Sequence, residues 1–253
     1  MLASRRFSLI REKMPGFLDK LEANSSDAAW SYYLPPGISK QETEILLTGL
    51  MGQEVMPAEL FEVAAGAKTG AIVFSGPERK YLVLPPFPIL EKSFKRGFSV
   101  QPLRALLAHD LRIALVLVRL GSYAIGICQG EKLVSSKVGT GLIHGRHKKG
   151  GSSQQRFRRH REKQIESFLN RVCSHIQDYF EPQKQLLDYL VYGGAWTTIL
   201  SLQKQCSFLN QFDNRLLPPL LDIPEPRQAV LETAVSRTWS SHITEWYDEQ
   251  AIP

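Results

Sequence analysis

The chain has 253 residues, 43% of them hydrophobic, enough for one large or two modest domains with cores of their own. A net charge of +6 favours a polyanionic partner, nucleic acid first, and says nothing about the fold. The longest apolar run, Ile113 to Val118, is far too short to cross a bilayer, and Arg5, Arg6, Arg11 and Lys13 are followed by no apolar leader, so composition excludes a secreted or membrane-spanning class.

Cys128, Cys173 and Cys206 have neither metal-ligand spacing nor the even count of a disulfide framework, and they predict a reducing, cytoplasmic setting. Residues 1–108 read as a smaller α+β domain. It opens with a helix over Phe7 to Leu21 that Pro15 and Gly16 interrupt. Ser39, with Glu42 three residues later, is a capping-box pattern for a helix through Leu50, and Pro57 sits where a first helical turn accepts proline, opening a helix through Ala67. Ala71 to Ser75 and Tyr81 to Leu84 are short apolar and β-branched runs separated by Gly76-Pro77, the pattern of a hairpin. The prolines at 85, 86 and 88 end it, and a Leu-rich segment follows at Leu103 to Leu107.

Residues 109–253 read as a second domain. Ile113 to Leu120, Tyr123 to Gln129 and Lys132 to Val138 form a three-stranded meander joined by two-residue turns at Gly121-Ser122 and Gly130-Glu131, where glycine supplies a positive φ. The first of these strands is apolar on both faces and is therefore predicted to be central. Ile165, Phe168, Leu169, Val172, Ile176, Tyr179 and Phe180 recur at steps of three and four, the stripe of a long helix that starts near Gln154 and stops at Pro182. Leu186 to Tyr192 is predicted as a strand ending at Gly193-Gly194. A helix over Trp196 to Ser207, an edge strand over Leu216 to Ile223 and a final helix over Glu225 to Tyr247 complete the chain.

Between the meander and the long helix lies the stretch Ile143 to Lys163, which carries eight Lys and Arg residues against one acid, Glu162. Arg146, His147, Lys148 and Lys149 form one basic arm, and Arg156, Arg158, Arg159 and Arg161 form another. Gly150, Gly151, Ser152, Ser153, Gln154 and Gln155 lie between them. Small and polar residues at the tip permit a close backbone approach, while the flanking cations neutralise phosphates without reading sequence. A solvated basic loop is the plain alternative.

The order His147, Gly150, Gly151, Ser153, Arg156, Phe157, Arg159 and Glu162 resembles the central domain of the eukaryotic and archaeal class-1 peptide-chain release factors, where a GGQ loop is followed by Arg-Phe and a basic helix. Ser152 stands where that family has its glutamine. The spacing Gly151-Ser152-Ser153-Gln154 is similar to the GxxQ of the ankyrin-repeat and zinc-finger release factors that free peptides from stalled large ribosomal subunits. The resemblance implies an RNase H-like mixed sheet in the second domain and a loop, residues 143–156, that enters the peptidyl-transferase centre. It further implies hydrolysis of peptidyl-tRNA with Gln154 or Gln155 at the ester, rRNA of the large subunit as partner, no cofactor, no metal and no DNA. Neither a NIKS-type motif nor Tyr-x-Cys-x-x-x-Phe occurs in residues 1–108, so that domain is expected to select the target without decoding.

Two rivals are weighed against this reading. A metal-dependent nuclease on the same fold needs carboxylates projecting from the sheet, and the first two strands of the meander contain no Asp or Glu. A non-catalytic factor that occupies the peptidyl-transferase centre with the same loop is the other, and it stays open because Gln154 lies one residue beyond the GxxQ position when the count starts at Gly150.

Overall fold

The structure is a computed structural model that describes residues 2–51, 57–145 and 152–248. These form two compact units, Met1–His109 together with Trp239–Pro253, and Asp110–Thr238.

In the first unit β1 (Leu2–Leu9) leads through a short 3-10 turn into α1 (Met14–Ala23), then β2 (Trp30–Leu34), α2 (Lys40–Met51), α3 (Ala58–Gly66), β3 (Ala71–Ser75), β4 (Arg79–Leu84), β5 (Ser93–Arg96) and α4 (Gln101–Ala108). The expected helix over Phe7 to Leu21 is corrected. Residues 7–9 belong to β1, and Pro15, placed in the first turn of α1, starts that helix where it had been expected to interrupt one. The capping reading holds at α2: the Glu42 backbone N–H donates to Ser39 Oγ at 3.2 Å. Leu18, Leu21, Leu103 and Leu107 of α1 and α4 cover one sheet face with Tyr33, Ile72, Phe74 and Val83, while Leu47, Leu60 and Ala64 of α2 and α3 cover the other with Tyr32, Val73 and Leu82.

The second unit contains β6 (Arg112–Arg119), β7 (Ser122–Gln129), β8 (Lys132–Thr140), α5 (Ser152–Phe180), β9 (Tyr189–Gly194), α6 (Trp196–Gln205), β10 (Leu216–Leu221) and α7 (Gln228–Thr238). Its strands lie in the order β10-β9-β6-β7-β8, with β6, β7 and β8 antiparallel and β9 and β10 parallel to their neighbours. β6 is central, and Ile113 to Val118 are fully buried, as two apolar faces require. Alternation divides the faces. Ala114, Val116 and Val118 pack with Phe168, Leu169 and Val172 of α5 and Ile199 and Leu202 of α6, whereas Gly126, paired with Leu115, lies against Leu231 of α7. The first meander turn is one residue earlier than expected. Arg119 pairs with Ser122, so the loop residues are Leu120 and Gly121, and Gly121 has φ of 96°.

After α7 the chain forms β11 (Ser241–Asp248), which corrects the expected helix over Glu225 to Tyr247 and the expected assignment of all residues 109–253 to one domain. β11 lies antiparallel between β1 and β4, giving the first sheet the order β1-β11-β4-β3-β2-β5. Its side chains explain why it belongs there. Ile243 and Trp246 are buried on opposite faces, and Glu245, almost fully buried, accepts from Arg79 Nη1 at 2.8 Å and from the Tyr81 hydroxyl at 3.2 Å. Burial and then the Glu245 carboxylate push the Tyr81 phenol up to about 12. A second correction concerns the cysteines: Cys173 of α5 and Cys206, just beyond α6, form a disulfide with Cα atoms 5.4 Å apart, and Cys128 is free and buried. Count and spacing do not reveal proximity, and these two thiols are brought together by the packing of α5 beside α6.

Candidate functional site

The long helix α5 begins at Ser152, two residues before the expected start, and its two halves differ in what they touch. Phe168, Leu169, Val172, Ile176 and Phe180 are buried against the sheet, but Gln155 to His160 are all exposed. Contact with the core begins at Ile165. At 1.5 Å per residue, the thirteen residues before it carry the start of the helix about 20 Å past the packed region. The sequence determines this split: the apolar stripe that holds the rear half is absent from Gln155 to Lys163 apart from Phe157, itself 56% exposed.

The chain reaches that helix along an extended limb, residues 140–145, that leaves β8 and runs beside α5. Arg171 Nη2 donates to the Thr140 carbonyl at 2.8 Å. Gly141 lies so close to α5 that a Cβ there would come within 2.6 Å of both Arg171 Nη2 and the Phe168 ring, so a side chain at this position would have to displace both. Ile143 packs against the core cluster. At His144 the limb is held from both sides: its N–H donates to Gln164 Oε1 at 3.1 Å, and its carbonyl accepts from Arg161 Nε at 3.0 Å. The His144 and His160 rings face each other at 5.9 Å. From Arg171 to Arg161 is ten helical residues, about 15 Å, and four extended residues of the limb cover a similar distance, so the two run together away from the sheet.

Arg156 and Arg159 are exposed and have no acidic partner among the described residues. Arg158 donates from Nε to Glu162 Oε1 at 2.9 Å, an exposed pair one helical turn apart that contributes only a few tenths of a kcal/mol and leaves the guanidinium available. Arg161, expected among the RNA contacts, is half-buried and anchors the limb. Arg146, His147, Lys148, Lys149, Gly150 and Gly151 lie outside the described residues. For Ser152, Ser153 and Gln154 the structure gives the backbone: they form the first turn of α5, with Gln155 next. Helix geometry leaves the N–H groups of residues 152–154 without acceptors in the helix, so donors and the positive end of the helix dipole point toward the loop.

Gln164 and Arg171 were not singled out by sequence, because a glutamine and an arginine on a polar helix face look alike whether free or engaged. Nothing in the spacing of His144 and His160 links them, and the structure brings their rings together. Among the described residues no group of three or more His, Cys, Asp or Glu is placed to hold a metal ion, and no helix is long and apolar enough to cross a membrane.

Comparison with known proteins bears on the same region. A family model described as the Actinobacteria/chloroflexi VLRF1 release factor matches residues 111–244, more than half of the chain. Among curated proteins, the chain is similar to peptide chain release factor subunit 1 of Thermococcus sibiricus, 27% identical over 124 residues, which is 47% of this chain and 30% of that protein. The protein of the same name from Aeropyrum pernix is 24% identical over 267 aligned residues, 92% of this chain and 70% of that one. The chain spans under a third of the length of the first relatives it matches. Among solved structures, the archaeal translation termination factor aRF1 aligns with 90% of this chain and 73% of its own at 15% identity and a TM-score of 0.38.

Proposed function

The chain belongs to the Actinobacteria/chloroflexi VLRF1 release factor family, and from that premise we propose that it hydrolyses peptidyl-tRNA on stalled ribosomes or large subunits in the cytoplasm. The second unit, read as RNase H-like from its strand order, carries the loop of residues 143–156 into the peptidyl-transferase centre. The first unit selects the target. The observation that carries this reading is the exposed, basic forward half of α5 with its limb tied alongside, a rod that holds a polar tip about 20 Å from the packed core.

In the reaction, water adds to the ester carbonyl carbon joining the peptide to the terminal ribose. The tetrahedral oxyanion then collapses, the ribose oxygen departs with a proton, and the peptide leaves as a carboxylic acid. An amide side chain is no base near neutral pH, so Gln154 acts by positioning the water, or through its backbone N–H, one of the unpaired donors at the start of α5 that suit a developing oxyanion. The spacing Gly151-Ser152-Ser153-Gln154 supports the GxxQ version of the mechanism, with Gln155 the neighbouring alternative. Gly150 and Gly151 keep side chains out of the approach. Arg146, Lys148, Lys149, Arg156, Arg158 and Arg159, with His147 beside them, hold rRNA and tRNA phosphates.

The test is peptide release from large subunits carrying labelled peptidyl-tRNA, with Gln154→Ala as the informative variant. A second reading is favoured by Ser152, which occupies the place of the glutamine in GGQ: the loop fills the centre without catalysing. Tight binding of the parent protein with no release would establish that reading and overturn the first.

A further inference from the structure

We infer that the edge of the first sheet formed by β2 and β5 binds single-stranded RNA. β5 is the last strand of its sheet, so its outer row of backbone N–H and C=O groups has no strand partner among the described residues. In the register of the pair, Trp30 lies across from Arg96 and Tyr32 across from Phe94, which places all four on one face. The Phe94 ring is 44% exposed and stands, centroid to centroid, 6.3 Å from Trp30, which is half-buried, and 6.0 Å from Tyr32, which is buried and supports it from the core side. Arg96 and Lys95 are both exposed, and neither has an acidic partner among the described residues, whereas the nearby Lys92 is paired with Glu42 at 3.6 Å.

Cations on an edge strand have an ordinary purpose: they discourage edge-to-edge pairing with another copy. That purpose does not account for the ring. A guarded edge gains nothing from a half-exposed phenylalanine beside a tryptophan, which adds the apolar surface that the cations would be there to offset. An exposed ring flanked by unpaired guanidinium and ammonium groups is the chemistry that single strands use, a base stacking on the ring and the phosphates meeting the cations. A duplex hides its base faces and cannot use the ring. The surface belongs to the unit that does not carry the basic loop, so it is an RNA contact beyond the one proposed for peptide release and does not depend on it.

The test uses the full chain and a fluorescent 12-nucleotide oligouridine, read by anisotropy, in a background where Arg156, Arg158 and Arg159 are alanine to reduce binding by α5. Phe94→Ala is expected to weaken binding by roughly 5- to 150-fold, the loss for one stacked base. Arg96→Ala, at an exposed position, should lower the salt slope by about one phosphate contact. Oligonucleotides containing 4-thiouridine should cross-link to residues 93–96 or Trp30, and a 12-base-pair duplex should bind without regard to Phe94. Absence of any binding in that background, or equal affinity of the parent, Phe94→Ala and Arg96→Ala proteins, overturns the inference. So does sedimentation showing a dimer that Phe94→Ala dissolves while RNA affinity stays fixed, since the surface is then an interface between copies. Failure of the parent protein, with its arginines intact, to release peptide while the cross-link persists would count against the loop mechanism and leave this surface standing.

Discussion

At Gln154 the proposed chemistry and the local structure meet. Replacing it with alanine removes no charge and keeps a good helix former in the first turn of α5. Ribosome affinity is therefore expected to stay within about two-fold while release slows by roughly 10- to 1,000-fold, the range for one positioned donor or water contact. Gln155→Ala is the comparison, because neighbouring helical residues point about 100° apart and only one of them faces the ester. Sensitivity at 155 alone would move the register by one residue; parental rates in both variants would remove glutamine chemistry from the account. Cys128 makes a separate prediction. Burial pushes its thiol up to about 12 from 9.0, so the folded protein holds it neutral. Stability from this group is full below about pH 9 and declines as pH rises from there toward 12, because the unfolded chain ionises first. An aromatic disulfide reagent at pH 8 should leave Cys128 unmodified in the native protein and react on unfolding. Rapid labelling of the native protein would show the thiol to be accessible.

For the elements, the decisive pairing is α5 with the limb of residues 140–145. Gln164→Ala removes the acceptor from the His144 N–H while leaving the apolar stripe of α5 intact. Because a misplacement of about 1 Å can cost up to roughly 100-fold, kcat for release should fall within that limit while ribosome affinity holds. Gln164→Glu, which restores an acceptor, should recover much of the rate; a rate loss that Glu does not rescue would make Gln164 a mere folding residue. The disulfide joining α5 to α6 closes a loop with a sequence separation of 33. In the chain-entropy account it contributes about 3–4 kcal/mol, so dithiothreitol should lower the thermal midpoint, and an unchanged midpoint would mean that the bond does not form in solution. How much of this was legible follows from distance along the chain. The meander was readable because two-residue turns fix pairing between adjacent segments, and the long helix because its stripe repeats over four turns. β11 was not. It pairs with β1, more than 230 residues away, and the three-residue step from Ile243 to Trp246 continues the helical spacing of α7. The basic arms were visible as composition, but the limb's anchors were not, since Gln164 meets His144 across twenty residues.

Over the whole molecule, the account requires affinity for ribosomes to fall steeply with salt. Neutralising several phosphates releases counterions, and each lost contact reduces the slope of log affinity against log salt by roughly 0.7 to 0.9. Arg159→Ala, removing an unpaired cation, should lower that slope by about one contact. Arg161→Ala should lower it less, because that side chain is half-buried and its Nε is held by the His144 carbonyl, which restricts its reach to a phosphate. A flat response between low and moderate salt would reduce the basic helix to a solubility feature. The most direct measurement is single-turnover peptide release: purified protein, isolated large subunits loaded with labelled peptidyl-tRNA, and the free peptide counted over time. The account predicts release by the parent protein, slowed by Gln154→Ala at saturating concentrations where both proteins are fully bound. Full occupancy by the parent with no peptide freed would contradict it.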